Sequence, residues 1–228
     1  MSQTMPPQDK RRSLIQALAT AGVLGPAGIC GLISEALAEG NKPIAPGMHK
    51  IVGTVTVNGQ PAREGQLIRN GDTIVTGARS EAIYVIGQDA YMQREKSTIN
   101  FAAEAAAGVM RVITGKILSV FGKGDKKLVV PTATIGIRGT GCYIEAEAKT
   151  TYFCLCYGVA EVSPTADPKH TERIETKHHD HPILIHNDSA MPTMAPASVI
   201  NHTDAELILL ENLVGRWPPF YGKTYYGY

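Results

Sequence analysis

Between His49 and Val162 the chain is cut into short apolar or alternating runs by turn signals at nearly even spacing. "IVGTVTVNGQP" alternates and breaks at Asn58-Gly59, and "GQLIRNGDTIVTG" repeats the break at Asn70-Gly71. "EAIYVIG", "STINF", "GVMRVITGKILSVFG", "KKLVVPTATIGIRG" and "TTYFCLCYGVAEV" follow. Successive side chains on a strand point to opposite faces, so runs of this length and pattern predict an all-β domain built as a sandwich, barrel or solenoid. Asn-Gly marks tight hairpins and solenoid corners alike, and turn spacing alone leaves the three arrangements open.

Helical signals are sparse. "AAEAAAG" at 102–108 is too short for more than a turn or two. After Ser163 the composition shifts to Pro, Thr, Asp, His and Lys, which predicts a long loop over 164–202 around one short strand, "PILIH". One helix then stands out. Thr203 with Glu206 forms a capping box, Leu207, Leu210 and Val214 supply an apolar stripe, and Gly215 ends it. The tail carries Trp217, Phe220, Tyr221, Tyr225, Tyr226 and Tyr228, suited either to cap the β domain or to pair with a partner's sheet edge.

The N-terminus reads as a targeting segment. Lys10, Arg11 and Arg12 precede Ser13, Leu14, Ile15 and Gln16, then a weakly apolar Ala- and Gly-rich run ending in Ala36, Leu37, Ala38. Charged region, apolar region and small-residue site stand in secretory order. The paired arginines resemble a twin-arginine signal, with Leu14 where Phe is commonest and Gln16 where Lys is. Residues 1–38 are therefore expected to be a cleaved signal peptide and the protein periplasmic or secreted, with membrane contact only if the segment stays uncleaved. Cys30 follows Ile29, too large for a lipobox. Cleavage would remove Asp9, Lys10, Arg11, Arg12 and Glu35 and leave a chain without net charge, starting from +1. Such a balance argues against nucleic acid or an anionic membrane as principal partner.

The stretch from "NGQPAREGQLIRNGDTIVTGARSEAIYVI" through "ITGKILSVFG" to "LVVPTATIGIRGTGCYIE" and "TTYFCLCYGVAEV" resembles the FecR domain, the periplasmic module of ferric-citrate-type sigma regulators. Its most specific element is "TIGIRGTG", Thr134 to Gly141, preceded by Pro131. The resemblance covers residues 50–163 and implies a mostly-β, solenoid-like domain that works through contacts with an envelope protein, in signal transduction, with no reaction assigned to it. About a dozen residues precede the apolar segment, so a cytoplasmic anti-sigma domain is not expected, and a stand-alone exported module fits better. Gly136, Gly139 and Gly141 read as turn glycines between strands. An anion nest is the other reading, but no helix and no Lys-Ser/Thr pair follows, so this is not a P-loop.

Cys142, Cys154 and Cys156 are the chain's remaining chemistry. If the hairpin "AKTT" centres near Lys149, Cys142 sits opposite Cys156 and all three thiols share one face. At about 3.3 Å per residue the Cα atoms of Cys154 and Cys156 stand roughly 6.6 Å apart, near the upper limit for a disulfide, whereas a cross-strand pair falls well inside it. In an oxidising compartment Cys142 would pair with Cys154 or Cys156 and leave one thiol over. The alternative is a metal held by Cys142, Cys154 and Cys156 with His178, His179 and His181 of "KHHDHP"; thiolate and imidazole together suit zinc, iron or copper. His49, His170 and His202 stand apart in sequence and receive no role.

No G-x-S-x-G elbow, HExxH helix or paired acid and base is present, so no catalytic residue is assigned. A Cys154–His179 nucleophilic dyad is geometrically conceivable. The expectation is an all-β, solenoid-like or sandwich domain at 39–163, a His/Pro-rich loop at 164–202, and a helix with an aromatic tail at 203–228. It would act as a non-enzymatic binding or scaffold module, with a redox metalloprotein using the same Cys/His site as the alternative.

Overall fold

The computed structural model describes residues 42–102 and 108–223. The signal segment with Cys30, residues 103–107 of the Ala-rich patch, and Tyr225, Tyr226 and Tyr228 lie outside the described residues. Among those residues the chain is an all-β domain with one C-terminal helix, as the patterning predicts. Its strands are β1 (Gly47–Val52), β2 (Val55–Val57), β3 (Gln60–Pro61), β4 (Thr73–Thr76), β5 (Glu81–Ile86), β6 (Asp89–Gln93), β7 (Ser97–Phe101) and β8 (Val109–Val120). β9 (Asp125–Val130), β10 (Ala133–Ala146), β11 (Thr150–Pro164), β12 (Glu172–Thr176), β13 (Ile183–His186), β14 (Met194–Pro196) and the helix α1 (Asp204–Leu213) follow. No helix of the described residues is long and apolar enough to cross a membrane.

Turn chemistry closes the first hairpin. Asn58 (φ 52°) and Gly59 (φ 76°) both adopt the left-handed conformation that a two-residue hairpin turn needs between β2 and β3. Asp72 ties this turn to the next one, accepting from Asn58 Nδ2 and from the Arg69 amide, both at 2.7 Å.

All fourteen strands belong to one sheet, antiparallel except for the β8–β9 pair. The sheet works as two layers because β8, β10 and β11 are long and serve both. The first layer runs β1-β5-β6-β8-β10-β11-β13-β14, using the C-terminal halves of β8 and β10 and the N-terminal half of β11. The second runs β3-β2-β4-β7-β8-β9-β10-β11-β12 through the opposite halves. The main core, with Tyr84, Ile99, Val112, Ile135, Ile144, Phe153 and Val162, draws overwhelmingly on strands, so the sheet must fold over itself to bury them. The two layers therefore face each other as a sandwich, rather than stacking as the coils of a solenoid.

Each long strand exchanges its inward face partway along. On β10 the core residues are Ala133, Ile135 and Ile137, then Cys142, Ile144 and Ala146; on β11 they are Phe153 and Leu155, then Ala160 and Val162. An extra residue at a bulge shifts the period-two alternation by one. Two such irregularities flank Gly141, where Arg138 pairs with Val159, Gly141 with Tyr157 and Cys142 with Leu155. The glycines of "TIGIRGTG" thus lie within β10, not between strands. At Gly141 a side chain would strike the Tyr157 ring, 2.5 Å from a Cβ.

The outer face of the first layer is covered by α1. Leu207, Leu210 and Leu213 pack there with Ile83, Val85, Met92, Leu118 and Val120. "TYFCLCY" lacks polar alternation because β11 is buried on both faces at this level, as covered strands are. Thr203 caps α1 and the box with Glu206 is complete, while Gly215 (φ 74°) follows its end, as expected. Residues 164–202 depart from expectation. They add three strands to the sheet edge instead of one.

Candidate metal centre

Cys154 and Cys156 lie on the outer face of the first layer, beneath α1, and are fully buried. Strand alternation places both there, and the bulge at Cys156 lets Tyr157 join the same face. Two loops bring imidazoles to them. After β12 the chain continues along β11, where the His179 amide donates to Cys156 O at 2.9 Å, and Asp180 Oδ2 accepts from the Lys177 amide at 2.8 Å. His179 takes φ 52°, a conformation non-glycine residues seldom adopt. The second loop precedes α1. Tyr152 braces it, donating to Ser198 O at 3.0 Å, and it delivers His202.

Four donor atoms, Cys154 Sγ, Cys156 Sγ and one nitrogen each of His179 and His202, lie within 4.8 Å of one another. Cys154 Sγ stands 3.5 Å from His179 Nδ1, which stands 3.0 Å from His202 Nε2. Metal bonds of about 2.0 Å to nitrogen and 2.3 Å to sulfur at tetrahedral angles set N···N near 3.3 Å and N···S near 3.5 Å. The Cys154–His179 spacing matches, and the His179–His202 spacing is shorter, at 3.0 Å.

The outward nitrogens are fixed as well. His179 Nε2 meets Asp204 Oδ1 at 3.1 Å, and His202 Nδ1 meets Ile200 O at 2.6 Å. A carbonyl only accepts, so His202 Nδ1 carries the hydrogen and its Nε2 presents a lone pair inward. His179 likewise donates to the carboxylate through Nε2, which leaves Nδ1 facing Cys154 and His202, as a donor when the ring is charged and as a ligand when it is neutral. Carboxylate or carbonyl support behind a ligating histidine is the usual outer arrangement of metal sites.

The electrostatics favour a cation. Cys154 is held well below the usual thiol range, chiefly by a hydrogen bond from Cys156, then by His179 and His202, against the opposing effect of burial. Cys156 is pushed up by burial and by the neighbouring Cys154 charge. Burial works against a charged His179, but Asp204 and Cys154 outweigh it and raise the imidazole to about 9. A divalent ion would supply the positive charge this pair of sulfurs draws from His179 and would ionise Cys156 too.

Of the six residues expected in the site, the structure brings together Cys154, Cys156 and His179. Cys142 is a correction: it pairs with Leu155, not Cys156, and faces the inner core between the layers. The hairpin centre lies half a residue earlier than Lys149, and a one-residue slip in pairing sends a side chain to the other face. Cys142, Cys154 and Cys156 are all free thiols, so the expected disulfide is not formed. His181 is half-exposed and turns to Glu172 at 3.6 Å. His178 stands behind the site, its Nε2 2.9 Å from Asp204 Oδ2. His202 was missed. Its one sequence signal is its place just before the Thr203 cap, which makes its position as ordered as the helix.

Aromatic rings enclose the cluster. Tyr143 stacks on His202 at 4.7 Å, with Arg94, just after β6, 5.8 Å from the Tyr143 ring centre. Phe220 packs on His178 at 4.7 Å and on Tyr157 at 5.9 Å, and Trp217 stacks on Tyr221. The described part of the tail therefore caps the domain. The Cys154–His179 contact has the polarity of a nucleophilic dyad, but Cys154 is 0% exposed and the His179 side chain 1%, so substrate has no approach.

No family model matches the chain, and no curated protein is significantly similar to it. Among solved structures, the chain is similar to two crystal structures of a protein from Parabacteroides distasonis described as a candidate anti-sigma factor. One aligns with a TM-score of 0.46 at 10% identity and the other with 0.45 at 11%. In both cases the alignment covers 55% of this chain and 58% of the other, so the chain spans little more than half the length of these neighbours. The resemblance to FecR thus rests on its motif residues.

Proposed function

We propose that this chain is an exported, non-enzymatic binding module of FecR-like type whose C-terminal segment is fastened to its β-sandwich by a single zinc-class ion held by Cys154, Cys156, His179 and His202. One observation carries the metal reading. His179 Nδ1 and His202 Nε2 face each other at 3.0 Å while the other nitrogen of each ring is committed elsewhere. Two ring nitrogens at that separation share either a proton or a metal ion, and two adjacent thiol sulfurs bring the inward-facing donors to the four ligands typical of structural zinc. The set is closed and buried, which suits a structural role better than catalysis.

Elemental analysis of natively exported protein tests the reading. One equivalent of zinc is expected, lost in Cys154→Ser and His202→Ala and kept in Cys142→Ala and His181→Ala. Metal-free protein that folds as tightly as the loaded form overturns it. Iron or copper in the same ligands would instead favour the electron-transfer alternative. Export belongs to the same proposal, supported by Arg11 and Arg12 ahead of the apolar segment. Replacing both by Lys should block it, and undiminished export would dispose of the twin-arginine route. Action through a protein partner is supported by the FecR-like motif residues and by the absence of any accessible catalytic arrangement among the described residues.

A further inference from the structure

We infer that the ion acts as a lock on the C-terminal segment, with Asp204 as the positioning residue that joins the ligand set to α1. The inference rests on the metal reading above. It starts from three consecutive residues with three different duties: His202 is a ligand, Thr203 caps the helix, and Asp204 is the first residue of α1.

Asp204 reaches back to the β12–β13 turn. Its Oδ1 lies 3.1 Å from His179 Nε2 and 3.0 Å from His178 Nε2, and its Oδ2 lies 2.9 Å from His178 Nε2. The second imidazole ligand and the first residue of the helix are thus one hydrogen bond apart. With an ion in place a closed ring runs from the metal through His179, Asp204, Thr203 and His202 back to the metal. The sheet side of that ring is β11, through Cys154 and Cys156. Pinning the ring pins the start of the helix.

The helix depends on such pinning. Ten residues are too few for a helix to persist in water unsupported, so α1 survives only while docked. A carboxylate in the first turn suits the helix dipole, and the capping box satisfies its leading amides. The N-terminal end has other side-chain tethers as well: Arg94 donates to Glu206 Oε1 at 2.8 Å and to Asn201 O at 2.9 Å, and Asn201 Nδ2 donates to Glu145 Oε1 at 2.7 Å. At the far end Glu211 accepts from Tyr157 and Arg216. Removal of the ion opens that ring at His179 and His202, and the loss falls on the residues that start α1. Docking of α1 and the tail behind it is therefore linked to metal occupancy, since whatever binds one state in preference stabilises it.

Hydrogen exchange followed by mass spectrometry on the whole exported chain, with and without zinc, tests the coupling. Zinc removal is expected to speed exchange in peptides covering 199–213 by tenfold or more while those covering β8 and β10 hold. Asp204→Asn should still take one equivalent of zinc, with affinity 10- to 100-fold weaker, as for other lost outer-shell partners, and with a smaller zinc effect on α1. Asp204→Glu should recover part of both. Two results overturn the lock: zinc bound stoichiometrically with exchange in α1 unchanged, or acceleration spread evenly over the sheet. Asp204→Asn binding zinc as tightly as the parent overturns the positioning role. Protein that takes no zinc at all fails at the earlier step and sinks the metal reading itself.

Discussion

Cys142 lies opposite Leu155 across β10 and β11, and so turns into the space between the two layers, away from Cys154 on the outer face. Neighbouring strands thereby carry thiols on opposite sides of one sheet. Cys142 is buried, and its thiol is pushed far up by that burial, which makes it a small core residue rather than a reactive group.

Thiol chemistry should respect that division. When folded, metal-free protein is treated with a disulfide-exchange oxidant and digested, Cys154 and Cys156 are expected to link to each other or stay reduced. A peptide joining Cys142 to either would show that the register is wrong. Cys142→Ala should cost about 1 kcal/mol in urea denaturation, the worth of one buried group of that size.

Gly115 on β8 sets a sharper test. It adopts φ 93°, and a Cβ there would lie 2.3 Å from Ser97 Oγ and 2.4 Å from Ser97 Cα. Gly115→Ala combines backbone strain with a clash against main chain, together about 3 kcal/mol or more. Gly136→Ala, whose nearest atom would be 4.0 Å away, is the matched control with little steric cost. Equal melting temperatures for the two variants would contradict the bend at Gly115.

Glu81 should make stability depend on pH. Burial raises its carboxyl above the ordinary 4.5, Arg94 pulls it back, and Glu206 adds to the rise. A raised folded pKa means the folded state holds the proton longer, so this contribution is full below about 4.5 and is lost as pH climbs through the folded value. Glu81→Gln mimics the protonated form, and its stability relative to the parent should improve from pH 4 to pH 7. A difference that shrinks or reverses over that range would mean the Arg94 ion pair outweighs burial.

The helix cap offers a fourth measurement. Thr203→Ala is expected to lower stability by about 1 kcal/mol. Glu206→Ala should cost more, because Glu206 also holds Arg94 at 2.8 Å. A smaller loss for Glu206→Ala would show the ion pair contributes nothing beyond the cap.

Local chemistry was legible in the residues. Asn58-Gly59 makes the turn it announces, Thr203 and Glu206 start the helix, Gly215 follows its end, and each quoted apolar run after Ser80 became a strand. Cross-sheet register was not. It depends on bulges at Gly141 and Cys156, which come from contacts between distant segments and leave no period of their own. The same gap explains the site. Cys154, Cys156 and His179 could be proposed from spacing, but Cys142 required the correct register and His202 required knowing that α1 folds back over β11. The short strands β12 and β14 escaped notice because so few residues, mostly polar in "ERIET", carry too little alternation to stand above a loop.

The exchange of inward faces along β8, β10 and β11 also bears on how this chain tolerates change in length. Each strand keeps two separate tallies of odd and even positions, one per layer, reconciled at a single place near Gly115, Gly141 or Cys156. One residue added or deleted on either side of such a place would turn half a strand inside out, carrying apolar groups to solvent and polar ones to the core. The turns at 147–149 and 187–193 join strands without that constraint. Relatives that differ in length should differ there, and keep the spacing between Gly115 and Val120, and between Gly141 and Ala146, residue for residue.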